Sequence, residues 1–252
     1  ISFETDMLRL GGHVIGTENA KQFSSVAKGE SLHDTIRVVG HYADIIVLRH
    51  DDADALDTAL SAARVPVING GCGSDQHPTQ ALLDLYAIRA KLRRTEDLSV
   101  ALAGDLLYGR TVHSLAYLLG KYRGNRLIFV SPQELRMPQS IKDYLERHGV
   151  WFKEVDSLER IVAQVDVLYQ TRVQKNRFAD EVEYERLKGA LCLSLPLAQR
   201  MRDGAIIMHP LPRTLELPTE VDVLPQAVYL DDQIESGVAI RKALLMTVAG
   251  RA

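Results

Sequence analysis

At 252 residues, 46% hydrophobic and 25% charged, the chain can bury a sizeable core and is long enough for one large or two modest domains. A net charge of -3 and a pI near 6.3 exclude an overall field that gathers nucleic acid or an acidic membrane, so an anionic ligand has to be caught by local arginines. Cys72 and Cys192 lack C-x-x-C spacing, which argues against a disulfide framework or a thiolate zinc site and fits a reducing cytoplasm, and no apolar stretch approaches a membrane span.

Residues 2–10 have helical spacing, with Phe3, Met7 and Leu10 on one face, and Gly11 and Gly12 end the helix. Residues 13–16 read as a short strand and 17–29 as a polar loop carrying Ser24, Ser25 and Lys28. Ser31 reads as the cap of a helix whose inner stripe is Ile36, Val39 and Tyr42. An apolar run at 45–48 ends in Arg49 and His50, and similar runs recur at 65–68, 100–103, 127–130, 165–168 and 206–208 with helical segments between them. Strands buried on both faces read this way. The expected fold class is α/β, with two domains that are each a parallel sheet flanked by helices.

Between the second and third runs lies N-G-G-C-G-S-D-Q-H-P-T-Q-A-L-L-D, from Asn69 to Asp84. Its glycines permit positive φ and close approach of the backbone, so a loop is predicted from Asn69. Pro78 suits a first helical position, and a helix over 78–93 is expected. One stripe, Ala81, Leu85, Ile88 and Leu92, and a second, Leu82 and Tyr86, suit a helix that spans two domains. The predicted domains are 1–78, to which 234–252 returns, and 79–233. A helix N-terminus beside His77 and Gln80 would hold an anion or a polarised carbonyl.

In open parallel sheets, ligands bind beyond the carboxyl ends of the strands. Those ends deliver Arg49, then His77 and Gln80, then Arg110 in G-D-L-L-Y-G-R-T, then Arg172 and Gln174 in T-R-V-Q-K-N-R, then H-P-L-P-R from His209 to Arg213. Arginine suits bidentate recognition of carboxylate or phosphate, so the inferred ligand is small and multiply anionic. Taken singly, each residue also has a plain reading: a solvated loop arginine, a turn histidine, a small buried Cys72. No G-x-G-x-x-G or P-loop pattern occurs and the eight histidines show no metal-ligand spacing, so no nucleotide, metal or other cofactor is expected.

Together, S-F-E-T at Ser2, K-G-E-S at Lys28, V-L-R-H at Val47, G-S-D-Q-H-P-T-Q at Gly73, G-D-L-L-Y-G-R-T-V-H-S-L at Gly104, T-R-V-Q-K-N-R at Thr171 and M-H-P-L-P-R at Met208 resemble the catalytic chains of the aspartate transcarbamoylase family. The order is kept from Ile1 almost to Ala252. The sister ornithine enzymes are expected to carry cysteines where this chain has Thr79 and Pro210. The resemblance implies transfer of a carbamoyl group from carbamoyl phosphate to the amine of L-aspartate in pyrimidine biosynthesis. It implies that Arg49, His77 and Gln80, with the main chain near Leu211 and Pro212, hold carbamoyl phosphate, Arg49 and His77 polarising its carbonyl. It assigns Arg110, Arg172 and Gln174 to the carboxylates of aspartate. Ser24 and Lys28 would reach into a neighbouring subunit's site in a homotrimer, which a regulatory chain or a dihydroorotase would accompany in some members; neither nucleic acid nor membrane is an expected partner.

The family's phosphate-binding S-T-R-T-R would stand just before Ile1, so a segment preceding the given sequence is expected. Cys72 stands where Asp is usual and Ser236 where Asn is usual. A chain truly starting at Ile1 would instead be a noncatalytic subunit that binds aspartate or a partner.

Overall fold

The computed structural model describes residues 1–17, 29–52, 54–73, 76–173, 181–189 and 191–250. The chain divides into two compact units, Ile1–Thr79 with Gly237–Ala252, and Gln80–Ser236.

In the first unit, α1 (Ser2–Arg9) and α2 (Leu32–Val39) precede a parallel pair, β1 (Ile46–His50) and β2 (Val67–Cys72), joined through α3 (Ala55–Ala62). Ser31 caps α2: its Oγ accepts from the Asp34 amide at 3.1 Å, satisfying one of the donors a helix start leaves open. Ile36, Ile46, Ala59 and Ala62 form a small core. Two expectations fail here. The predicted stripe on α2 narrows to Ile36, because the helix stops at Val39 and Tyr42 lies past its end, 72% exposed. Residues 13–16 form no strand; they are exposed and have no ladder partner among the described residues.

The second unit holds a five-stranded parallel sheet in the order β5-β4-β3-β6-β7, from β3 (Ser99–Ala103), β4 (Arg126–Val130), β5 (Trp151–Val155), β6 (Val167–Gln170) and β7 (Ile206–Met208). Side chains alternate between two cores, as period-two geometry requires. Val100, Leu102, Leu127, Phe129, Val167, Tyr169, Ile206 and Met208 face one layer with Leu115 of α5 (Arg110–Leu119) and Ile88 of α4 (Pro78–Leu92). Ala101, Ala103, Ile128, Val130, Leu168 and Ile207 face the other, with Ile161, Leu197 and Met201. Burial on both sides explains why these strands read as continuous apolar runs.

On α4, Leu83, Asp84 and Ala87 are buried beside the first predicted stripe, while Tyr86 of the second is 44% exposed. Strand β5 had no apolar run to announce it. Its W-F-K-E-V sits on the sheet edge, where Trp151 is exposed, the other four residues are only partly buried and Lys142 pairs with Glu154 at 3.4 Å. The last helix, α6, α7 and α8 being Gln139–Arg147, Glu181–Leu187 and Leu195–Ala198, is α9 (Asp232–Val248), whose residues from Gly237 onward belong to the first unit.

Chain order reverses in the middle of the sheet. From β3 the chain steps outward to β4 and β5, then returns to the other side of β3 for β6 and β7. Such a switch point opens a crevice at the carboxyl ends of the two central strands, here β3 and β6.

Candidate active site

In the first unit, the glycines after Ile68 continue the strand rather than opening a loop. Register runs Leu48↔Asn69 and then His50↔Cys72, so Arg49 stands opposite two residues, Gly70 and Gly71. This β-bulge lies in β2 and bends that strand where it runs beside Arg49 of β1. Glycine suits this contact, because a Cβ on Gly70 would lie a tight 3.1 Å from the Leu48 carbonyl oxygen, and Gly71 has φ 113. Asn69 Oδ1 accepts from the amides of Gly71 and Cys72, at 2.7 and 3.1 Å, and so holds the bulge in shape. The strand ends when the Gly73 amide donates to the His50 carbonyl at 3.0 Å. Arg49 is exposed; His77 and Gln80 are partly buried, and Thr79 is buried. Thr79 Oγ1 lies 3.4 Å from His77 Nδ1, steadying the imidazole at the start of α4.

In the second unit, Arg110 opens α5 after the turn that follows β3, and Arg172 comes two residues after β6. Those strands are neighbours, paired from Val100↔Val167 to Ala103↔Gln170. The pairing carries on past the ladder: Thr171 donates to the Ala103 carbonyl through its amide at 2.8 Å and its hydroxyl at 3.1 Å. A Cβ on Gly104, whose φ is 117, would come within 2.2 Å of the Thr171 carbonyl oxygen. Arg172 therefore comes directly after the stitched end of β6, while Arg110 follows the turn that leaves the stitched end of β3; both side chains are partly buried. Leu211 and Pro212 follow β7, the next strand along; the bond between them is cis and Leu211 has φ 53. Ser24, Lys28 and Gln174 lie outside the described residues.

A buried polar network was not foreseen from the sequence. Asp84 accepts from Gln80 Nε2 at 3.0 Å, from Gln233 Nε2 at 2.6 Å and from the Tyr169 hydroxyl at 2.8 Å. Burial, with Asp84 beside it, pushes the Tyr169 hydroxyl well above its usual range, so it serves as a donor. Because Asp84 takes the amide nitrogen of Gln80, the carbonyl oxygen of that side chain is left as the acceptor. Gln233 Oε1 in turn accepts from the His209 amide at 3.0 Å. The imidazole of His209 lies 3.0 Å from Glu216. Burial pushes the Glu216 carboxyl up, yet hydrogen bonds from His209 and Thr214 outweigh it and hold the group at about 2. The clue available in the sequence was an acidic residue at a position where a helix stripe should be apolar: Asp84 on α4. Among the described residues no cluster of His, Cys, Asp and Glu could hold a metal ion, and no helix is long and apolar enough to cross a membrane.

Fold and site define an α/β protein whose second unit presents cationic side chains at the switch point of a parallel sheet. Models of the aspartate/ornithine carbamoyltransferase carbamoyl-P binding domain and Asp/Orn binding domain match residues 1–90 and 96–248. The chain belongs to that family. It is 49% identical over 246 residues to the chloroplastic aspartate carbamoyltransferase of Arabidopsis thaliana, covering 97% of this chain and 63% of that protein. It is also 49% identical over 245 residues to the catalytic subunit from Methanocaldococcus jannaschii, covering 97% of this chain and 79% of the relative. Among solved structures, Trypanosoma cruzi aspartate transcarbamoylase in complex with carbamoyl phosphate and aspartate superposes with a TM-score of 0.91 at 38% identity, over 97% of this chain and 78% of that one. The M. jannaschii catalytic subunit gives 0.88 at 46% identity, over 100% and 81%. The chain thus spans somewhat less than two thirds of the chloroplast relative.

Proposed function

We propose that the protein transfers the carbamoyl group of carbamoyl phosphate to L-aspartate, giving N-carbamoyl-L-aspartate and phosphate in pyrimidine biosynthesis. The observation that carries this reading is the placement of Arg110 and Arg172 in the segments that follow two stitched, adjacent strand ends, in a chain of the carbamoyltransferase family. Two guanidinium groups in such a place suit a dicarboxylate. The T. cruzi relative, crystallised with carbamoyl phosphate and aspartate, supports the choice of substrates.

In this account Arg110, Arg172 and Gln174 hold the carboxylates of aspartate. Arg49 and His77 hold carbamoyl phosphate and draw charge from its carbonyl oxygen, while Gln80 and the main chain at Leu211 and Pro212 accept from its nitrogen. The amine attacks the carbamoyl carbon, negative charge grows on the oxygen facing Arg49 and His77, the bond to the phosphate oxygen breaks, and the departing phosphate takes the amine proton. Positioning and preorganised donors supply the rate enhancement. Ser24 and Lys28 serve a neighbouring subunit's site in a trimer. Exposed apolar Val38, Val39 and Tyr42 give the first unit a surface that a second copy would cover.

The test is product formation from labelled carbamoyl phosphate and aspartate. His77→Ala should lower kcat by about 10²- to 10³-fold, the usual cost of removing one oxyanion donor. A folded protein that binds aspartate yet makes no carbamoyl aspartate would instead be the noncatalytic subunit.

A further inference from the structure

We infer that His209 is a positioning residue: locked in one tautomer by Glu216, it holds the main chain at Leu211 so that carbonyl groups there can receive a substrate nitrogen. This deepens the function proposed above and rests on it. His209 follows β7 and is 1% exposed. Its Nδ1 lies 2.8 Å from the Leu211 amide nitrogen, and a backbone amide can only donate. Nδ1 therefore carries no proton, and the ring proton sits on Nε2, 3.0 Å from Glu216 Oε1. Glu216 is 2% exposed and is itself fixed by the Thr214 amide at 2.9 Å and the Thr214 hydroxyl at 2.6 Å. The main chain of His209 is tied separately to Gln233.

Leu211 needs such a lock. Its φ of 53 is unfavourable for a residue with a branched side chain, and a strained conformation persists only where its surroundings enforce it. What the lock preserves follows from chemistry. Carboxylates and phosphate are recognised by donors such as arginine, whereas an amine or a carbamoyl NH2 needs acceptors, which main-chain carbonyls provide. Disturbing His209 should accordingly weaken nitrogen-bearing substrates and spare anions that lack nitrogen.

The experiment compares His209→Gln with His209→Asn. The asparagine oxygen lies where Nδ1 was and can still accept from Leu211; glutamine reaches Glu216 but leaves Leu211 unheld. H209Q should raise the KM of aspartate or carbamoyl phosphate about tenfold, the loss of one hydrogen bond, while the Kd of succinate and of inorganic phosphate shifts less than threefold. H209N should stay within threefold of wild type in both KM values. Equal behaviour of the two variants, or a parallel loss of succinate and phosphate binding, would overturn the inference. If H209Q does not fold, 15N NMR of histidine-labelled wild-type protein, with H209N giving the assignment, decides: an unprotonated Nδ1 is expected, and a proton on Nδ1 refutes it. Wild-type protein that forms no carbamoyl aspartate would defeat the proposed reaction instead, and the tautomer would still be judged by its own spectrum.

Discussion

Glu216 shows how far a single residue's role depends on its surroundings. Nothing in T-L-E-L-P distinguishes it from a surface glutamate, yet it is buried beneath His209 and accepts from Thr214. A carboxyl held at about 2 when folded, against 4.5 ordinarily, stabilises the native state above pH 4.5 and loses that contribution as pH falls towards 2. In urea titrations, wild type should therefore lose more stability across this window than Glu216→Gln, whose neutral amide does not titrate. Identical acid sensitivity of the two would mean that Glu216 carries no such linkage. Arg49, His77, Gln80, Arg110 and Arg172 were legible as candidates because each follows an apolar run, and strand ends in parallel sheets are where ligands sit. Asp84, Tyr169, Gln233 and Glu216 were not, since burial and partners remote in sequence give them their meaning: Gln233 meets Asp84 across 149 positions.

At the scale of elements, strand identity followed from apolar runs wherever both faces are buried, and failed where one condition lapsed. β5 is an edge strand and carries charge, so it made no run. β2 extends through Asn69 to Cys72, against its glycine content, because Asn69 caps the bulge amides and Gly70 lies close to Leu48. Residues 13–16 have a strand-like composition but no ladder partner among the described residues. The junction of β3 and β6 is the element most directly tied to the site. Gly104→Ala would set a Cβ 2.2 Å from the Thr171 carbonyl oxygen in a left-handed conformation, prising apart the strand ends that precede Arg110 and Arg172. It should cost about 2 to 4 kcal/mol in urea unfolding and raise the KM of aspartate. Gly204→Ala, also at positive φ but with nothing within 4 Å of its Cβ, should cost less and leave that KM in place. An equal effect of both on KM would break the link between the junction and substrate binding.

For the whole molecule, the α/β class and parallel sheets were readable from the spacing of runs, whereas the strand order of the second unit was not, because register and crossover are set by packing rather than by local pattern. The proposed trimer makes a prediction of its own. If Lys28 serves a neighbour's site, Lys28→Ala and Arg172→Ala chains, each inactive alone, should recover activity on mixing, because one site in a mixed trimer can draw both intact residues. Confirmed mixed trimers without any recovered activity would argue against shared sites. The central claim is that guanidinium groups at the ends of β3 and β6 grip a dicarboxylate. Its most direct test is calorimetric titration with succinate, which offers both carboxylates but no amine to react, in the presence of carbamoyl phosphate. Arg110→Ala and Arg172→Ala should each weaken binding about 10- to 150-fold, as expected for charge-assisted hydrogen bonds worth about 1.5 to 3 kcal/mol; wild-type affinity in both variants would contradict the account.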